Sequence, residues 1–168
     1  MINGDRQWQS LMEMAEIGAT PAGGVCRLSL SDEDKVSRDL FVRWVEEAGC
    51  VVRIDRVGNI FARRVGTDPD APPVIIGSHL DTQPLGGRFD GSYGVLAGLE
   101  VVRTLNDAGT ETRAPIDVVN WTDEEGCRFL SKTMGSMVFA GMINEDAVLG
   151  AVDPDGKSFG DELARIGY

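Results

Sequence analysis

An α/β fold, in which helices flank a layered mixed sheet, is predicted by three features of this 168-residue chain. "VIIGS" at 74–78, a continuous apolar run, reads as a strand covered on both faces, and "PIDVVNW" at 115–121 reads as another buried strand. A helix-periodic segment lies between them, and strand–helix–strand alternation is the mark of such sheets. Polar residues then gather just past the C-terminal end of each run, the edge at which open α/β sheets collect their ligands.

The remaining elements follow in order. Residues 3–19 carry Trp8, Leu11, Met12 and Ala15 ahead of Gly18, which predicts a short amphipathic helix. "SDEDKVSRDLFVRWVEEAG" at 31–49 predicts a longer one, capped by Ser31, acidic in its first turn and ended by Gly49. Val36, Leu40, Trp44 and Ala48 form its expected apolar stripe. "CVVRIDRVGNIFARRVG" gives two strand-like runs around Gly58-Asn59, a hairpin, and "TDPDAPP" is a loop. Residues 91–109 place Val95, Leu99, Val102 and Leu105 in helical register before Gly109. Helical turns are expected at Gly135–Ala140 and at Ser158–Ile166, the latter with Ser158 and Asp161 as a capping box.

Composition narrows the function classes. The length suits one domain with a sizeable core, and a hydrophobic fraction of 42% argues against disorder. A net charge of −11 repels a polyanion, so nucleic-acid binding is not expected. No apolar run reaches membrane-spanning length, and no signal peptide is visible in "MINGDRQWQS". Cys26, Cys50 and Cys127 are widely spaced without a CxxC pair, which predicts reduced thiols in a cytoplasmic protein. Cys127 in particular is read as a packed thiol, because no second histidine is available as its base. "DPDG" at 153–156 lacks the later ligands of a calcium loop and is read as a turn. The phosphate-loop, dinucleotide and nucleophile-elbow motifs are all missing.

What remains is "IIGSHLDTQPLGGRFDG" and "TDEEG". His79 is the sole histidine of the chain, and Asp81, Asp90, Glu124 and Glu125 lie with it on one predicted sheet edge. Imidazole and carboxylates are the mixed nitrogen and oxygen donors that zinc, manganese or cobalt accept. Asp81 is placed to hold the second ring nitrogen of His79, and a carboxylate such as Asp90 is able to bridge two cations. At a strand end followed by Gly126, the adjacent glutamates are able to divide the work, one binding metal and one accepting a proton. The bland alternatives are a hydrogen-bonded histidine near a turn and a solvated acidic loop.

"GSHLDTQPLGGRFDGSYGVLAGLEVVRTLN", "PIDVVNWTDEEGCRF" and "MGSMVFAGMI" closely resemble the N-carbamoyl-L-amino acid hydrolases. These group with the allantoate amidohydrolases and β-ureidopropionases in the dinuclear-metal aminoacylase and carboxypeptidase superfamily. The resemblance runs over nearly the whole chain and implies a role for each residue. His79 would bind one metal, Asp90 would bridge, and Glu125 would bind the other. Glu124 would be the general base and Asp81 the aspartate that orients His79. The implied cofactors are two divalent ions, zinc or manganese, cobalt or nickel. The implied reaction is hydrolysis of a carbamoyl or ureido C–N bond, with release of carbon dioxide, ammonia and the amino acid. "DTQP" leans toward the carbamoyl-amino-acid branch, with allantoate or an N-acyl amino acid as the alternative substrate. Asp123 stands where the family often has Asn, and the family's Pro near Ser131–Met134 is absent.

Family members are more than twice as long. Residues 1–168 would be the N-terminal portion of the catalytic domain, without the dimerisation domain through which full-length relatives form homodimers and without the later histidine ligands. The chain alone is therefore expected to bind metal weakly, to have little or no activity, and to expose apolar surface that self-associates. A rival reading is a non-catalytic domain that keeps the fold.

Overall fold

In the computed structural model, residues 1–129 and 131–168 are described. The chain begins with helices α1 (Gly4–Glu16) and α2 (Asp32–Glu47), followed by the hairpin β1 (Val51–Ile54) and β2 (Ile60–Arg64). Strand β3 (Val74–His79), helix α3 (Ser92–Asp107) and strand β4 (Ile116–Trp121) come next. Short helices α4 (Met134–Phe139) and α5 (Glu145–Leu149), then α6 (Phe159–Ile166), complete it. The sheet order is β1-β2-β4-β3, antiparallel throughout except for the parallel β3–β4 pair. The α/β layered mixed sheet that the sequence predicts is therefore present, and α5 is an element the sequence reading missed.

Side chains alternate across a strand, so Ile60, Ala62, Ile116, Val118 and Ile76 share one face. Against it pack Leu40, Phe41, Trp44 and Val45 of α2 and Val95, Leu96, Leu99 and Val102 of α3. A second core under α4–α6 joins Leu30, Val57, Phe129, Met134, Phe159 and Leu163. The opposite sheet face carries Phe61 and Trp121, whose rings meet edge-on at 5.7 Å, with Phe139 of α4 against both.

Four local expectations are corrected. Val36 is exposed, and Ser37, Arg38, Phe41 and Val45 are buried instead. At 3.6 residues per turn, a strict spacing of four drifts by about 40° at each step, so a stripe drawn back from Trp44 leaves the core by Val36. In α1 the core takes Leu11, Met14 and Ala15, while Trp8 is exposed and stacks on Phe89 at 5.7 Å. β3 is not covered on both faces: it is an edge strand, and Val74 and Ile75 are 55% and 41% exposed. Uniformly apolar residues would suit the inner strand equally, and β4 does occupy that place. At α6, Ser158 Oγ accepts from Asp161 N–H, but the Asp161 carboxylate takes the Ser158 hydroxyl proton instead of reaching back to the backbone, so half a capping box forms.

Candidate metal centre

The parallel register decides where the polar residues emerge. His79 pairs with Trp121 on the last rung of β3 and β4, so the chain segments after both strands leave the sheet at the same edge. Five of the six residues of β4 are buried, and Thr122 and Asp123 continue buried beyond it. The chain then turns, with Asp123 at φ +56° and Gly126 at φ +63°. This sharp change of direction brings Glu124 and Glu125, which an extended strand would point to opposite faces, toward one place.

Single oxygens or nitrogens of His79, Glu124 and Glu125 lie within 4.8 Å of one another. Glu124 Oε2 is 3.5 Å from His79 Nε2, and Asp90 Oδ1 is 3.9 Å from the same nitrogen. Asp90 is the more exposed partner, with 62% of its side chain in solvent. His79 Nδ1 lies 2.8 Å from the Asp81 peptide oxygen. A carbonyl only accepts, so Nδ1 carries a proton and Nε2 is the ring nitrogen turned toward the carboxylates. The ring is thus oriented by the backbone of Asp81; the carboxylate of that residue stands 3.8 Å away. Gly91, at φ +64°, lets the Asp90 loop press on the ring, where a Cβ would sit 2.5 Å from His79 Cε1.

The buried Asp81 carboxylate has another task. It accepts the N–H groups of Glu124 at 3.3 Å and Glu125 at 3.2 Å, tying the end of β3 to the turn that carries both glutamates. Burial, then the Asp34 charge, pushes its pKa up, against the pull of His79 and the two N–H groups. Asp123 is shifted further, to about 8, by burial and then by the neighbouring Asp81 carboxylate. Neither Asp123 oxygen completes a hydrogen bond among the described residues, and the nearby Ser29 hydroxyl offsets the shift only in part. Sequence reasoning gave Asp123 no role beyond standing where the resembled family often has Asn; its positive φ, which Asp and Asn tolerate, accounts for either residue at this position. It also missed Gln83, whose amide donates to Glu125 Oε2 at 3.0 Å.

Cys127 is exposed, contrary to the packed thiol expected, because the turn after Glu125 faces outward. Its Sγ lies 3.8 Å from the Glu125 carbonyl oxygen, and burial followed by the Glu125 charge holds its pKa up, so it is not an activated thiolate. "DPDG" is a turn as expected: Asp153 Oδ1 accepts from the backbone of Asp155 and Lys157.

The donor set fits a divalent cation. One imidazole nitrogen and adjacent carboxylates converge above the buried Asp81, which holds both the ring and the glutamate turn by hydrogen bonds. No helix among the described residues is long and apolar enough to cross a membrane.

The geometry agrees with what known proteins resemble this chain. An N-carbamoyl-L-amino-acid amidohydrolase of Rhizobium meliloti is 57% identical over 167 residues, covering 99% of this chain and 40% of the relative. A namesake from Geobacillus stearothermophilus is 47% identical, with 99% and 41% covered. The allantoate amidohydrolase of Escherichia coli K12 is 34% identical, covering 95% of this chain and 39% of that enzyme. In three dimensions, a hydantoinase/carbamoylase family amidase from Burkholderia multivorans superposes with a TM-score of 0.98 at 60% identity, over 99% of this chain and 41% of that one. The chain thus spans about 40% of the length of these relatives. The model of peptidase family M20/M25/M40 matches residues 75–167, the stretch from β3 to the end of α6 that carries His79, Asp81, Asp90, Glu124 and Glu125, and the chain belongs to that family.

Proposed function

We propose that this chain supplies the N-terminal portion of the catalytic domain of a metal-dependent amidohydrolase that cleaves the carbamoyl C–N bond of N-carbamoyl-L-amino acids. The observation that carries the reading is the convergence of His79, Glu124 and Glu125 at one sheet edge, with Asp90 beside the ring. His79, Asp90 and Glu125 would hold two divalent cations, zinc or manganese, cobalt or nickel. When bound, such ions polarise the ureido carbonyl and acidify a water. Glu124 takes a proton from the attacking water and returns it to the leaving nitrogen, a role suited to a half-exposed carboxylate beside the ligands. Asp81 keeps both glutamates in place through their N–H groups and His79 through its peptide oxygen. The carbamoyl substrate is favoured over allantoate by the 57% and 47% identities to N-carbamoyl-L-amino-acid amidohydrolases against 34% to the allantoate enzyme. The small-molecule substrate and the acidic surface suit a cytoplasmic enzyme without nucleic-acid partners.

In this reading the remaining ligands, a dimerisation domain and the homodimer contact would lie in the part of the relatives that this chain does not match. The 168 residues alone bind Co2+ weakly and turn over little substrate. Grafted in place of the matching segment of the Rhizobium meliloti enzyme, they release ammonia from N-carbamoyl amino acids faster than from allantoate. Glu124→Gln in that hybrid lowers kcat by about a hundredfold or more. A hybrid that favours allantoate would move the assignment to that substrate. A folded hybrid inactive on both, with no uptake of Co2+, would favour the non-catalytic domain.

A further inference from the structure

Among the described residues, Arg27 is the largest side chain with no solvent exposure, and no carboxylate forms an ion pair with it. An unpaired buried guanidinium is costly unless its N–H groups are all engaged. Four of the five are engaged, two of them by groups that bracket the metal-binding loops. Nε donates to the Leu80 carbonyl at 3.0 Å, between His79 and Asp81. Nη2 donates to Ser92 Oγ at 3.0 Å, two residues beyond Asp90 at the start of α3. Nη1 donates to the carbonyls of Met14 and Ile17 at the end of α1, at 3.3 and 3.0 Å. The Arg27 backbone adds a reciprocal pair with Thr82: its N–H donates to Thr82 Oγ1, and its carbonyl accepts the Thr82 N–H, both at 2.8 Å.

We infer that Arg27 is a positioning residue for the metal centre, which locks the His79–Thr82 segment to the Asp90–Ser92 turn and so sets the orientation and tautomer of the His79 ring. The rigid fork is what the site requires: Leu80 and Ser92 flank the His79 and Asp90 donors, and one planar group reaches both. Lysine retains the charge but is unable to span four acceptors from one plane. The arrangement also accounts for a basic residue beneath a cluster of carboxylates with no ion pair to any of them, because its work is geometric. It rests on the reading of His79 and Asp90 as ligands.

The test exploits the single histidine. In the 15N-labelled chain at mildly alkaline pH, His79 alone gives imidazole signals, and the wild type shows one tautomer with the proton on Nδ1. Arg27→Lys shows averaged ring nitrogen shifts from two tautomers, and its Co2+ affinity, followed by absorption titration, falls about tenfold or more. Leu99→Ala, which opens the core without touching these groups, loses stability but keeps the wild-type imidazole pattern. An Arg27→Lys chain with a single Nδ1–H tautomer and wild-type Co2+ affinity would overturn the inference. Should Arg27→Lys fail to fold, Ser92→Ala decides: loss of one fork acceptor broadens the imidazole signals and weakens Co2+ severalfold, and no change in either overturns it. If the wild-type chain binds Co2+ too weakly to titrate, the imidazole comparison alone decides the role of Arg27, and the metal reading is tested separately by the hybrid.

Discussion

Asp123 shows how much one backbone angle and one desolvated group determine. Its folded-state pKa, about 8, lies far above the ordinary 3.8, so the folded chain binds this proton more tightly than the unfolded chain. The resulting stability is complete below the ordinary carboxylate value and is lost as pH rises through about 8. Asp123→Asn keeps the shape and the positive φ while removing the titration. With a chelator present, the variant therefore gains on the wild type as pH rises across that window, by up to about 1.4 kcal/mol per pH unit, and the gap levels off above it. Thermal melts of both chains across the range check this; a gap independent of pH would mean that Asp123 is ionised throughout. None of this was legible in "TDEEG", where Asp123 is one acid among three and burial is invisible. That His79, Glu124 and Glu125 lie together was legible, because each sits at or just past the C-terminal end of a predicted strand on one sheet edge.

Among the elements, α2 is held to the rest of the molecule by the hydrogen bonds of a buried intrahelical ion pair as well as by its apolar stripe. Arg38 Nε and Asp34 Oδ2 lie 2.8 Å apart with both side chains almost fully buried. The same guanidinium reaches the Gly58 carbonyl in the hairpin loop and Thr122 Oγ1 past β4, while Asp34 also accepts the Leu30 N–H. Removing one partner strands the other charge. Arg38→Met is expected to cost about 3–5 kcal/mol in urea denaturation, whereas the exposed pair Lys35–Asp39, one residue further along the same helix, is worth under about 1 kcal/mol. Periodicity located this helix, its Ser31 cap and its acidic first turn, yet misplaced Val36, because a one-letter pattern of apolar residues counts Arg38 and Ser37 as outward-facing. Partnered polar side chains break the pattern from inside the core.

For the whole molecule, the edge position of β3 has the widest consequence. Beyond β3 no further strand is paired among the described residues, and its apolar Val74 and Ile75 face solvent together with Trp8, Tyr93 and Leu85 elsewhere on the surface. A flat apolar edge is a template for association. Sedimentation velocity of the isolated chain is expected to show weight-average mass rising with concentration, and Ile75→Lys to move it back toward the monomer. A wild-type chain that stays monomeric across the range would show that this edge is tolerated in water. The curated relatives are about two and a half times longer, with this chain matching about 40% of each, and in the proposed reading their additional residues cover this surface.

The order of strands and helices, the α/β class and the shared edge for His79 and the glutamates were all determined by local pattern: apolar runs, helical periodicity and the residues that follow each strand. Those signals are short-range, and the sequence carries them for every element but the five-residue α5. Which strand lies inside the sheet, which carboxylate or peptide oxygen meets His79, and which charges are buried were decided only by the tertiary structure. Each depends on what packs against a residue from a distant part of the chain, as when Arg27 reaches 65 residues onward to Ser92, and no local pattern encodes that partner.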